Sequence, residues 1–372
     1  MKILHICNDF SYSKVYKNLY EELDTLKIDQ IIYHPLRNEL NRTKNLISFK
    51  QNASQIIYSK FNLKIHHRVL FRLKISSLFK DLCSQTDLSQ IDMSYATTLF
   101  SDGAIAYKLF KKYKIPYIVA VRNTDVNLFL KYRPDLNHLC IKILQNATKI
   151  IFISKGLQNK FLRNRIFSNY SSMLHNKMQI ISNGIDDIWL DNLHKKTDLS
   201  KKSIMFVGRF DANKNLENVI LACKDLKMSG FEELTLDVVG GGGDNEAGIL
   251  SLIENNKDWI TNHGFIDDKN KLITVFRKNN YFVMPSKYET FGLVYIEALS
   301  QGLPVLYTID QGIDGLFDLY VGEATAPDFT QIRNNLEKLL NKNHIDLSKI
   351  DFENFRWSNI ANKYLEIFKK IK

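Results

Sequence analysis

The sequence holds 372 residues, 45% hydrophobic and 24% charged, with only 6 Pro and 16 Gly; this balance excludes a disordered or fibrous chain, and the length calls for two folding units rather than one. Four cysteines at positions 7, 83, 140 and 223 form no C-x-x-C pair, so no zinc or redox motif can be read, and reduced thiols of a cytosolic protein are expected. The net charge of +11 belongs to the first half: residues 1–186 carry 28 Lys+Arg against 13 Asp+Glu, residues 187–372 carry 23 against 27.

In chain order, strands are expected at Lys2–Cys7, Gln30–Tyr33, Tyr117–Val121, Lys149–Ser154 and Met178–Ser182. Between them helical periodicity marks Lys14–Leu26, His66–Leu82, Ala104–Tyr113, Leu139–Asn146 and Leu157–Asn164. The apolar run after Lys2 is too short for a signal peptide, and no run approaches the roughly 18 apolar residues that span a bilayer. The segment from Lys64 to Lys80 interleaves His66, Arg72 and Lys74 with Leu70, Phe71, Leu73, Ile75 and Leu78. It reads as a basic amphipathic helix: either one that lies on an anionic membrane or a domain helix with its apolar side in the core, the preferred reading. After the turn dipeptide of Asn183-Gly184-Ile185-Asp186 the pattern restarts, with buried strands at Ser203–Val207, Leu234–Val239, Tyr281–Met284 and Pro304–Tyr307 and helices at Asn215–Lys227, Gln331–Leu340 and Asn354–Lys370. Alternating β and α runs give parallel sheets covered on both faces. Two doubly wound α/β domains are therefore expected, over residues 1–186 and 203–352, with a linker at 187–202 and a final helix at 353–372. Ligands of such sheets bind beyond the strand C-termini, so the cleft between two of them is the expected site.

Two strand-to-helix loops carry the chemistry. Phe206-Val207-Gly208-Arg209-Phe210-Asp211-Ala212-Asn213-Lys214 leaves a strand, turns at Gly208 and offers two cations. A pair of fixed cations suits a diphosphate, Arg by bidentate hydrogen bonds; singly, each would read as a surface charge. Pro285–Ala298 contains Glu289, then Phe291-Gly292-Leu293 opening a helix, then Glu297 inside apolar surroundings. A helix N-terminus presents unpaired N–H groups to phosphate or sugar oxygens. A carboxylate amid apolar residues needs a partner, a ligand hydroxyl pair or protein groups. Weaker signals are the run Gly240–Gly243, where Gly241 would let a ligand approach the backbone, and His263-Gly264-Phe265, which either lines a nucleotide base or ends a strand.

These residues resemble glycosyltransferase family 4. The resemblance is carried by Gly208-Arg209, Lys214, the Gly240 loop, Gly264, Glu289-x7-Glu297 and Gly302-x-Pro304, with Ile153-Ser154 and Asn183–Asp186 before them. It implies the GT-B fold, two Rossmann-type domains facing a central cleft, and a retaining, metal-independent transfer from a nucleoside-diphosphate sugar without a cofactor. Arg209 and Lys214 would neutralise the diphosphate, Glu289 would contact the transferred sugar, and the backbone of Phe291, Gly292 and Leu293 would bind sugar and phosphate. Glu297 would hold the ribose. The first half departs from the pattern. Asn8–Ser13 stands where many members have a Gly-Gly loop, and neither Arg122-Asn123-Thr124-Asp125 nor Tyr95-Ala96-Thr97 supplies the frequent His. Asp125, as acceptor base or as helix N-cap, with Arg122, Asn123, Ser11 and Asp102, are the acceptor-side candidates.

The basic first half serves solubility alone or meets an anionic partner. Combined with the resemblance, it suggests a lipid-diphosphate-linked or other anionic saccharide acceptor. The enzyme, a hexosyltransferase of bacterial surface polysaccharide biosynthesis, would then be cytoplasmic and peripheral to the inner face of the membrane. The same fold admits an epimerase or hydrolase of nucleotide sugars, and the charge admits a basic binding module. No recognised nucleic-acid module is present, and no nucleic-acid partner is expected.

Overall fold

The computed structural model describes residues 1–371, the side chain of Arg68 excepted. The chain forms two compact units, one built from residues 1–153, 158–184 and the segment from Trp357 onward, the other from Ser154–Leu157 and Ile185–Arg356.

The first unit has seven strands: β1 (Lys2–Ile6), β2 (Asp29–His34), β3 (Gln55–Tyr58), β4 (Met93–Ala96), β5 (Tyr117–Val121), β6 (Lys149–Phe152) and β7 (Met178–Ile180). All pairs are parallel, in the order β3-β2-β1-β4-β5-β6-β7. Every side chain of β5 is fully buried, as a parallel strand covered on both faces requires. Helices α1 (Lys14–Thr25), α2 (Phe71–Gln85), α3 (Ser101–Tyr113) and α4 (Asn137–Asn146) provide that cover. Ser13 caps α1, its Oγ accepting the Val15 N–H at 3.3 Å, and Tyr16, Leu19, Tyr20 and Leu23 make the buried stripe. The C-terminal helix Trp357–Ile371 lays its own stripe into the same core.

The second unit has six parallel strands: β8 (Ser203–Gly208), β9 (Thr235–Gly240), β10 (Ile260–Asn262), β11 (Tyr281–Val283), β12 (Val305–Thr308) and β13 (Gly322–Thr325), in the order β10-β9-β8-β11-β12-β13. Its helices are α5 (Leu216–Met228), α6 (Glu246–Glu254), α7 (Lys269–Lys278), α8 (Leu293–Ser300) and α9 (Phe329–Leu340). In each sheet the strand order reverses beside the first strand, between β1 and β4 and between β8 and β11. Loops leaving the strand C-termini at such a reversal diverge and open a crevice.

Two expected elements are corrected. The helix read at His66–Leu82 breaks at Leu70 (φ −83°, ψ 56°) into a turn of helix, His66–Val69, and α2. The buried stripe of α2 is Phe71, Ile75, Leu78 and Leu82, with the Phe71 ring edge-on to Phe129 at 5.8 Å. Ile65, Val69, Leu70 and Leu73 fall off that stripe and stay exposed, so the core accounts for only part of the segment. The final helix likewise starts at Trp357, after a separate turn at Phe352–Phe355.

Candidate active site

The loops after β8 and β11 meet at the second unit's reversal point. After Gly208 the chain turns on Asp211, whose Oδ1 accepts the N–H of Asn213 at 3.1 Å and of Lys214 at 2.9 Å. Asn215, in the left-handed region at φ 64°, then starts α5, and its amide donates to the carbonyls of Pro285 and Pro327. Asn213 zips the two loops together: its carbonyl accepts Lys287 N–H at 2.8 Å, its Oδ1 accepts Tyr288 N–H at 2.9 Å, and its Nδ2 donates to Tyr288 O.

These turns bring Lys214 Nζ to 2.7 Å from Glu289 Oε2, with both side chains mostly buried. The other oxygen of Glu289 accepts the Thr290 N–H at 3.0 Å. An ammonium has three donors, and Glu289 takes one of them. Arg209 stands at the rim, 71% exposed and 3.7 Å from Asp211. Gly292 caps α8 at φ +73°; a Cβ there would lie 2.4 Å from the Tyr295 ring, so only glycine fits. The N–H groups of Phe291, Gly292, Leu293 and Val294 have no acceptor among the described residues. The Phe291 side chain is buried, which leaves its backbone as the part that can meet a ligand. One and a half turns into α8, burial pushes the Glu297 carboxyl up to about 7, against the opposing charge of Lys269.

The glycine run after β9 flanks β8. Gly240 pairs with Gly208, and a Cβ on it would lie 1.8 Å from the Gly208 carbonyl oxygen. The Gly242 carbonyl accepts Phe210 N–H at 2.7 Å and its N–H donates to Glu246, while Gly241, the step before it, is half-buried. Phe265 follows β10 and is 79% exposed. Gln311 escaped the sequence reading: its Oε1 accepts the Glu289 N–H at 2.7 Å and its Nε2 donates to Lys287 O at 2.6 Å. It sits in the Asp310-Gln311-Gly312 turn after β12, with φ 58° at Asp310 and 55° at Gly312. Among the described residues no group of three or more His, Cys, Asp and Glu converges as metal ligands would. The site thus offers a diphosphate-sized anion a cation pair and a cluster of N–H donors, and offers a sugar two carboxylates.

Residues 191–350 match the family described as Glycosyl transferases group 1. An uncharacterized glycosyltransferase of Methanocaldococcus jannaschii is 24% identical over 366 residues, covering 95% of this chain and 93% of that one. An uncharacterized 41.2 kDa protein in the cps region of Klebsiella pneumoniae is 24% identical over 314 residues, 79% of this chain and 83% of that protein. The protein is a glycosyltransferase. Its fold is GT-B: the structure of Anabaena HepE in complex with UDP superposes with a TM-score of 0.71 at 15% identity, covering 100% of both chains.

In the first unit of the glycosyltransferase the acceptor-side candidates Asp125, Ser11 and Asp102 are buried, and Arg122 and Asn123 are half-buried. Asp125, a candidate base or helix N-cap, has its two oxygens accepting the backbone N–H groups of Arg122, Leu99 and Phe100 at 2.8, 3.0 and 3.2 Å, and it is 1% exposed. It ties the loop after β4 to the loop after β5, and burial lifts its carboxyl to about 6 against those three N–H groups. Arg122 donates through Nε to the Thr97 carbonyl at 3.1 Å, and Asn123 accepts from the Asn127 amide. Ser11 is buried: His34 Nδ1 meets the Cys7 carbonyl at 2.8 Å, so its Nε2 is the acceptor for Ser11 Oγ at 2.6 Å. Asp102 is fully buried, its Oδ2 accepting Thr97 Oγ1 at 2.8 Å while Oδ1 has no partner among the described residues; burial raises its carboxyl to about 7. Lys74 lies close by in the same unit, its Nζ donating to the neutral Ser101 Oγ at 2.9 Å and its charge sensing Asp102; burial lowers it to about 8.

Proposed function

We propose that the enzyme moves a hexosyl group from a nucleoside-diphosphate sugar to a saccharide or lipid-linked acceptor, with retention and without a metal, in bacterial surface polysaccharide biosynthesis. The observation that carries this reading is the Lys214–Glu289 pair, 2.7 Å apart beside the unpaired N–H groups that open α8. The Anabaena protein was solved with UDP, and the Klebsiella relative lies in a cps region, so a nucleotide donor and a polysaccharide product fit both.

On binding, the donor diphosphate takes the charge of Lys214 and Arg209 and the N–H groups of Gly292 and Leu293. Glu289, released from Lys214, accepts hydroxyls of the sugar, and Glu297 accepts those of the ribose. The bond from the anomeric carbon to the diphosphate oxygen then breaks, its electron pair leaving with the diphosphate. The two cations stabilise the developing charge where a metal would otherwise be needed. The acceptor oxygen attacks from the face the diphosphate leaves, and its proton passes to the departing phosphate oxygen, so configuration is retained. The acceptor is a phosphate-bearing lipid-linked saccharide, and the enzyme works at the cytoplasmic face of the membrane.

Calorimetric titration with UDP, GDP, ADP and CDP in EDTA tests the reading. One of them binds, and Lys214→Ala weakens it by about tenfold or more, the scale of a lost charge-assisted contact. Binding of none, or turnover that EDTA abolishes and magnesium restores, overturns it.

A further inference from the structure

We propose that residues 64–73 of the first unit are a docking surface for an anionic lipid bilayer. The inference rests on the reading that the acceptor is held in a membrane, and it says which surface meets that membrane.

Four apolar side chains stand in solvent within nine residues: Ile65 at 81% exposure, Val69 at 72%, Leu73 at 62% and Leu70 at 47%. Ile65, Val69 and Leu70 lie before α2, off its axis beyond the break at Leu70, and Leu73 extends the same patch from the exposed face of the first turn of α2. Phe71 alone turns inward, held edge-on by Phe129 and covered by the Arg133 guanidinium 5.9 Å from its ring centroid. That anchor fixes the short helix His66–Val69 outside the domain core. A second apolar group lies in the segment that carries Phe129: Leu128 is 53% exposed and Tyr132 63%, with Lys131 Nζ 5.0 Å from the Tyr132 ring. Arg133 itself pairs with Asp135 at 2.8 Å.

Charge decides the occupant. Residues 40–80 contain nine Lys and Arg and no Asp or Glu. Exposed Lys64, His66 and Arg72 alternate with the exposed apolar tips instead of bordering a groove. A protein partner would need an apolar ridge studded with carboxylates in matching register. A bilayer with acidic headgroups supplies both requirements without register: the apolar tips enter the acyl boundary, while long basic side chains reach back to the phosphates. Among the described residues no helix is long and apolar enough to cross a membrane, so the contact is with one surface.

The test is co-sedimentation of the full chain with vesicles of phosphatidylcholine alone or mixed with phosphatidylglycerol. The chain binds the mixed vesicles, releases in high salt and leaves pure phosphatidylcholine largely unbound. The triple variant Ile65→Ser, Val69→Ser, Leu73→Ser and the double variant Lys64→Glu, Arg72→Glu each lower partition by about tenfold or more. Circular dichroism and nucleotide calorimetry on the same samples show that both variants stay folded. Absence of vesicle binding, equal binding to both lipids, or full binding by both variants overturns the proposal. So does loss of a dimer in the triple variant without vesicle binding, which would give the surface to a second copy. Vesicle binding by a chain that binds no nucleoside diphosphate removes the transfer reading alone, and nucleotide binding without vesicle binding removes the docking surface alone.

Discussion

Glu297 holds a carboxyl whose ordinary value of 4.5 is raised to about 7 by burial in α8. Between those values the folded chain binds a proton that the unfolded chain has released. Stability therefore falls as pH rises through this window, and the ionised group is a net cost at pH 8. Glu297→Gln removes that cost and is expected to raise unfolding free energy at pH 8 by about 1–2 kcal/mol, a figure discounted for the half-buried side chain's contact with solvent. Near pH 4 the two proteins should be equally stable. The same substitution weakens nucleotide binding, because a charged acceptor for two hydroxyls becomes an amide. Urea titrations at the two pH values, paired with calorimetry, check it. A Gln variant less stable at pH 8 would mean that protein groups, not a ligand, need the carboxylate.

At the scale of elements, the site depends on strand-end turns built on glycine, two of which, at Gly240 and Gly292, have no room for a Cβ. Gly240 has φ +140°, and its Cβ would lie 1.8 Å from the Gly208 carbonyl oxygen; Gly242 has φ +66° and nothing within 4 Å of its would-be Cβ. Gly240→Ala must push β8 and β9 apart, at a cost of about 3 kcal/mol or more, whereas Gly242→Ala meets only the left-handed penalty of about 1–2 kcal/mol. Unfolding midpoints should separate the two, with nucleotide binding lost in the first and kept in the second. Equal midpoints would show that the strands give way. Such turns are also why much of the site is legible in the sequence. Gly208, Lys214, Glu289 and Gly292 sit in ordered motifs whose spacing follows the strand-loop-helix path. Gln311 and Asn213 are not legible, since one polar side chain bracing a neighbouring loop leaves no periodicity behind. Among strands, β5 announces itself as Tyr-Ile-Val-Ala-Val, but β13 is Gly-Glu-Ala-Thr and β4 is Met-Ser-Tyr-Ala, too short and polar to stand out until a sheet buries them. The break at Leu70 was hidden for the opposite reason, because a continuous helical period ran across it.

At the scale of the whole molecule, the chain finishes the unit it began. The stripe Trp357, Ile360, Ala361, Tyr364, Ile367 and Phe368 packs with Tyr16, Leu19, Tyr20 and Leu23 of α1, and the Tyr364 hydroxyl lies 3.0 Å from that of Tyr95 on β4. The first unit's core therefore includes contacts between residues hundreds of positions apart, whereas the second unit draws almost entirely on one continuous segment. Long-range closure is slow, and during synthesis residues 185–356 emerge complete before the last helix exists. Phe368 is fully buried in that late-closing core, and Phe368→Ala is expected to cost about 3–5 kcal/mol. The loss should be local. Amide exchange in β1, β4 and α1 should accelerate by orders of magnitude, while β8, β9 and β11 keep their protection and the nucleotide affinity of the second unit stays unchanged. Exchange that accelerates equally in both sheets would mean that the two units unfold as one cooperative body and that the last helix stabilises more than the core it enters.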